Sequence, residues 1–270
     1  DITNFLETFA PLVLQESYDN AGLITGDINS EIKSILVTLD VTEKVVEEAI
    51  QKKAQLIVAH HPIIFSGLKK ITGKNYVERT IIKAIKNDIA IYAAHTNLDS
   101  VEGGVNRKIC EKLGLENCKI LHPAGGQLKK LVTFIPVENA DEVRGAVFNA
   151  GAGNIGNYDS CGFVAEGMGS FKGNENSNPF VGKKGEIHAE KEVRFETIFP
   201  GYLQGKIIDA LIKSHPYEEV AYDIYPLENK FDKIGLGMIG ALSKPIAETL
   251  FLKQLKQTFN TGVIKHTALK

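Results

Sequence analysis

The feature that most restricts the fold is a pair of short, almost wholly apolar runs, Leu56-Ile57-Val58-Ala59 and Ile89-Ala90-Ile91-Tyr92-Ala93-Ala94, each closed by histidine. His60-His61-Pro62 follows the first run and His95 follows the second. Apolar runs without polar alternation are strands covered on both faces, as in a parallel sheet between helices. Ile35-Leu36-Val37-Thr38-Leu39 is a third such run. Helical patterns lie between them: Thr42 caps a segment carrying Val45, Val46 and Ile50, and residues 77–85 form the next. Ile2, Phe5, Leu6 and Phe9 add an amphipathic helix before them, and residues 104–113 a further helix after.

From about residue 128 to 229 the order changes to strand, helix, strand, strand, helix, strand, with strands at 131–137, 161–166, 193–199 and 220–225. That is the ferredoxin-like split unit. The alternating pattern resumes from Ile234, with Pro245 in the first turn of a helix to about Phe259 and a strand at Val263 to Thr267. The expected fold class is therefore α/β. A main domain with a parallel-rich sheet, residues 1–127 plus 230–270, is interrupted by an inserted ferredoxin-like (βαββαβ) α+β domain at 128–229.

Thirty-one Lys and Arg against 33 Asp and Glu give a net charge of −2, so no global basic field directs the protein to nucleic acid or an anionic membrane. The cysteines Cys110, Cys118 and Cys161 make an odd set without a CxxC pair, which fits neither a disulfide framework nor a zinc knuckle. No apolar run approaches the roughly 20 residues of a membrane helix. The chain opens at Asp1 without a basic-then-apolar leader. A cytoplasmic location is expected.

In an open α/β sheet, ligands bind beyond the carboxyl ends of the strands. His60 and His61 stand at one such end, and His95-Thr96-Asn97-Leu98-Asp99 at another. Adjacent histidines in an irregular turn point in different directions, which suits two metals, or one metal with an outer histidine. Imidazole with carboxylate favours zinc, manganese, iron or nickel. A single histidine at a strand end is ordinarily a hydrogen-bonded surface residue, and it is the pairing of two such ends that points to metal. Asp40 could line the same pocket, with capping of the Thr42 helix as the leading alternative. Two patterns are decoys. His215 and Glu219 have ligand-like spacing, but Pro216 and the alternation after it oppose a helix; Gly151 to Gly156 matches GxGxxG but follows a helix.

The histidine motifs, with Gly103-Gly104-Val105-Asn106 and the earlier Ser17-Tyr18-Asp19-Asn20-Ala21-Gly22-Leu23, closely resemble the Nif-three-like family of dinuclear metal centre proteins. Many members are labelled GTP cyclohydrolase I type 2 homologues. His215 to Leu227 and Phe171 to Pro179 look like the inserted CutA-like or PII-like domain of its longer bacterial forms. The resemblance implies two divalent ions per subunit, with His60 on one and His61 and Asp99 on the other. It makes His95 a pocket-lining group able to carry a proton. It also implies a ring-shaped homohexamer, and a further His and Glu ligand beyond Val263 to Thr267, so that this chain carries a partial site. The expected function is a divalent-metal-dependent hydrolase acting on a small molecule. The competing expectation is a non-catalytic metal-binding or regulatory hexameric assembly protein.

Overall fold

In the computed structural model, which describes residues 1–269, the apolar runs become neighbouring strands. The chain forms α1 (Ile2–Phe9), β1 (Gly22–Thr25), β2 (Ile35–Thr38), α2 (Glu43–Gln51), β3 (Leu56–Ala59), α3 (Tyr76–Lys86), β4 (Ala90–Ala93), α4 (Thr96–Ser100), α5 (Val105–Leu113) and β5 (Glu116–Ala124). The sheet order is β1-β4-β3-β2. Strands β2, β3 and β4 are parallel, and β1 runs antiparallel to β4. One face packs Ile57 and Ile91 against Val46 and Ala49 of α2 and Ile81 and Ala84 of α3. The other sets Leu56 and Tyr92 against Ile2 and Leu6 of α1. Full burial of a side chain such as Ile57 or Ile91 contributes about 1.5–3 kcal/mol.

Caps fix where the helices begin. The Thr42 hydroxyl accepts from the Val45 N–H at 3.3 Å. Asn75 caps α3 by accepting from the Glu78 N–H, and the Glu78 carboxylate returns to Thr72 N, Lys74 N and Asn75 Nδ2. This reciprocal arrangement satisfies one donor that the first turn leaves open, the Glu78 N–H, and ties the preceding loop to the helix.

Two expectations about local structure are corrected. Strand β2 is not covered on both faces: it is an edge strand, and Val37 is 78% exposed. Residues 263–267 form no strand among the described residues, because no ladder partner meets them.

The middle of the chain forms β6 (Leu128–Pro136), α6 (Ala140–Asn149), β7 (Gly162–Phe171), β8 (His188–Pro200), α7 (Gln204–Ser214) and β9 (Tyr222–Leu227). The order β7-β8-β6-β9, antiparallel throughout, is that of a ferredoxin-like sheet. Leu131, Val193 and Phe195 of the sheet are buried in one core with Val143 and Val147 of α6 and Ile207 and Leu211 of α7. The chain then returns through β10 (Phe231–Ala241), which pairs with β5, to α8 (Glu248–Thr258). The helix starts three residues beyond Pro245, with Ala247 as its cap. By contacts the protein divides into Asp1–His122 with the chain from Asp232 onward, and Pro123–Phe231. The second unit is thus inserted in the first. No helix among the described residues is long and apolar enough to cross a membrane.

Candidate metal centre

Because β2, β3 and β4 are parallel, their carboxyl ends fall on one edge of the sheet. Backbone bonds continue the ladders past the strands: His60 N–H donates to Thr38 O, His61 N–H to Leu39 O, and Ala94 N–H to Ala59 O. This extension brings His60, His61 and His95 together. One ligand-capable atom from each lies within 4.8 Å of the others, and the ring centroids are 4.9–5.5 Å apart.

Each ring has its Nδ1 occupied by an acceptor. His60 Nδ1 donates to the Ala94 carbonyl at 2.8 Å, His61 Nδ1 to Asp40 Oδ1 at 2.8 Å, and His95 Nδ1 to Asp19 Oδ1 at 2.8 Å. Neither a carbonyl nor a carboxylate can donate in return, so all three rings carry the proton on Nδ1 and leave the Nε2 lone pair open. Outer partners of this kind orient metal-ligating histidines.

Asp19 is the most constrained group of the site. Its side chain is fully buried, and it accepts from His95 Nδ1, Asn20 N, Thr96 N and the Thr96 hydroxyl. Burial alone would raise its pKa, but the hydrogen bonds from Thr96, His95 and Asn20 outweigh it and hold the carboxyl below its ordinary value. Asn97 fixes the same turn, accepting from His95 N and donating to Ala10 O. Gly104 closes the next corner, where an added Cβ would meet Leu98 O at 1.8 Å. Asp99, between the two, places Oδ2 3.7 Å from His60 Nε2. Phe65 stands edge-on to His95 at 5.9 Å and stacks with Tyr18 at 6.3 Å.

The positions read from the sequence can now be placed. His60, His61 and His95 form the cluster, so His95 stands with the other two rather than behind them. Asp99 adjoins it through His60. Asp40 holds His61 and does not cap α2, whose cap is the Thr42 hydroxyl. Asp19 received no role from the sequence, although it lies in one of the quoted motifs. His215 belongs to the second unit, where Nε2 donates to Phe134 O and Nδ1 accepts from Tyr217 N, so neither nitrogen is open to a metal. The GxGxxG segment is a helix stop, with Gly151 and Gly153 at positive φ after α6.

A family model for Duf34/NIF3 (NGG1p interacting factor 3) matches residues 1–270. The chain belongs to this family. Among its Duf34/NIF3 relatives, a Bacillus subtilis protein named GTP cyclohydrolase 1 type 2 homolog is 45% identical over 265 residues, 98% of this chain and 71% of the relative. A Listeria monocytogenes protein of the same name is 40% identical over 261 residues, 96% of this chain and 70% of the relative. The crystal structure of a Bacillus cereus protein related to NIF3 superimposes with a TM-score of 0.85 at 46% identity, over 97% of this chain and 70% of that one. The His60, His61 and His95 group could hold a metal ion.

Proposed function

We propose that this Duf34/NIF3 protein is a divalent-metal-dependent hydrolase of small molecules built around a dinuclear centre. The observation that carries the proposal is the set of three imidazoles, each with Nδ1 engaged and Nε2 open, converging at one sheet edge. The donor set fits a borderline ion such as zinc, iron, manganese or nickel. His60 would hold one ion and His61 the other, with Asp99 supplying the negative charge that neutral imidazoles lack. Ions held here supply Lewis acidity, in pairs about 3.5–4 Å apart in dinuclear hydrolases. Asp19 fixes the His95 Nδ1 proton, so His95 can take or give a proton only at Nε2. Tyr18 and Phe65 offer an aromatic wall beside it. The names of the Bacillus and Listeria relatives make GTP the first substrate to try.

The ring-shaped hexamer implied by the sequence resemblance is part of the proposal, as is a CutA-like or PII-like character for the inserted unit. A cytoplasmic location is in keeping with three free cysteines. Elemental analysis after dialysis, a mass measurement by light scattering, and turnover of GTP and a phosphoester panel test it together. Bound divalent ions and turnover that His61→Ala abolishes are expected. Metal binding without turnover on any substrate would favour the non-catalytic assembly reading, and absence of metal even when the further His and Glu ligands are supplied would refute both.

A further inference from the structure

The second unit contains a cavity of about 700 Å³ that the metal centre does not use. It lies on the sheet face opposite α6 and α7, since Glu192 and Arg194 alternate with the core residues Val193 and Phe195 along β8. The volume falls in the range of small-molecule sites, about 300–1,000 Å³. Phe134, Phe171, Phe180 and Tyr217 contribute rings to its wall. Tyr217 lies 5.8 Å from Phe171 and 6.3 Å from Phe180, inclined to both.

Among these rings sits a carboxylate. Glu192 is 7% exposed, and the hydrogen bond it receives is from the Tyr217 hydroxyl, at 2.9 Å. No cation lies within ion-pair distance of it among the described residues. Arg194, two residues along the same face, turns instead to Glu196 at 2.7 Å. A buried carboxylate without a cation is costly, and such groups are ordinarily paired. The surroundings are built to hold it. Gly169 leaves room for the carboxylate, since a Cβ there would meet Glu192 Oε2 at 2.1 Å. His215 accepts from Tyr217 N and so fixes the tyrosine. Burial, then the adjacent Glu192, raises the Tyr217 pKa, so its hydroxyl stays a donor. The charges around the wall are four glutamates against one lysine and one arginine.

We propose that this cavity binds a small organic cation, an amine or ammonium head against Glu192 with its apolar body among Phe171, Phe180 and Tyr217. The carboxylate supplies the counter-charge, and the ring faces attract the same cation. An anionic ligand would meet an unpaired buried carboxylate, and a neutral one would leave it uncompensated.

Calorimetric titration of the full chain with 2-phenylethylamine, against 2-phenylethanol and 3-phenylpropionate as neutral and anionic probes of similar shape, tests the proposal. The amine should saturate with a Kd on the order of 1 mM, as befits so small a ligand. The alcohol and the acid should bind about tenfold more weakly or not at all. Glu192→Gln, which retains an acceptor for Tyr217, should weaken amine binding about tenfold. Phe180 is 57% exposed, so Phe180→Ala should leave the fold intact and weaken it about threefold through loss of one ring. Equal binding of the three probes, no saturation by the amine, or unchanged amine affinity in either folded variant would overturn it. Should Glu192→Gln melt early, Phe180→Ala and the probe series decide alone.

Discussion

Histidine meets opposite fates in the two units. In the first, His60, His61 and His95 each give Nδ1 to an oxygen acceptor and keep Nε2 open. In the second, His215 donates from Nε2 to Phe134 O, accepts at Nδ1 from Tyr217 N, and is buried to 7% exposure. Three rings are prepared for an external ligand, and one is a structural bracket. What separates them is the partner of the second ring nitrogen, which residue type and spacing do not reveal. The largest expected effect breaks the comparison directly. Replacing His60 and His61 together with Ala should abolish metal retention in dialysis while the melting curve stays near that of the parent. His215→Ala should do the reverse. Metal content should be unchanged, and the second unit should lose about 2–4 kcal/mol, because a buried ring is removed and the backbone groups of Phe134 and Tyr217 lose their partner. Elemental analysis beside denaturant unfolding measures both, and a loss of metal in His215→Ala would contradict the division.

A smaller effect separates the outer partners within the first unit. Asp19 is fully buried and accepts four hydrogen bonds, whereas the Asp40 side chain is 60% exposed. In Asp19→Asn an amide N–H₂ must face His95 Nδ1–H or the Thr96 donors. Metal affinity should therefore fall at the strong end of the roughly 10–100-fold range for such partners, and by less for Asp40→Asn. Competition with a chromophoric chelator would rank them, and the reverse order would show that Asp40, not Asp19, governs the site.

The sequence made some of this legible and hid the rest for physical reasons. Strands β3 and β4 are covered on both faces, so nearly every position in them is apolar, and the histidines mark where that cover stops. The ferredoxin-like unit was readable from element order alone, since four strands and two helices in that sequence have few ways to pack. Strand β1 was not readable. It has four residues, begins at a glycine, and pairs with β4 through an irregular register. Strand β2 misled because Ile35 and Val37 look like core residues yet lie on an edge strand, 43% and 78% exposed, and Leu39 just past its end is 60% exposed. Asp19 was invisible for another reason. Its bond to His95 joins residues 76 apart in the chain, brought together by the antiparallel seat of β1 beside β4 and by bonds from Glu16 N to the Thr96 hydroxyl and from Asn97 to Ala10 O. The strand-end position of Asp40 was a usable signal, but support of the Thr42 helix looked the more natural role, whereas the Thr42 hydroxyl makes the cap and Asp40 turns to His61.

The smallest expected effect is a difference in how acid destabilises the two units. Burial, only partly opposed by the bond to Phe134 O and the charge of Glu192, holds the pKa of His215 below its ordinary value. As pH falls below about 6.5 the unfolded chain takes up a proton that folded His215 refuses, so stability declines with falling pH until the folded pKa is reached. Glu78 in the first unit behaves differently. The backbone N–H groups of Thr72 and Lys74 and the Thr72 hydroxyl pull its pKa from 4.5 to about 2. Its contribution is intact above 4.5 and is lost as pH falls from there through about 2. Hydrogen exchange read by mass spectrometry, which resolves segments of each unit, should show Pro123–Phe231 loosening first, as pH falls below about 6.5. In His215→Gln that early slope should flatten, while Glu78→Gln should flatten only the later one. Simultaneous loosening of both units, with neither substitution changing its slope, would mean that titration elsewhere sets the acid limit and that His215 is not held neutral by its burial.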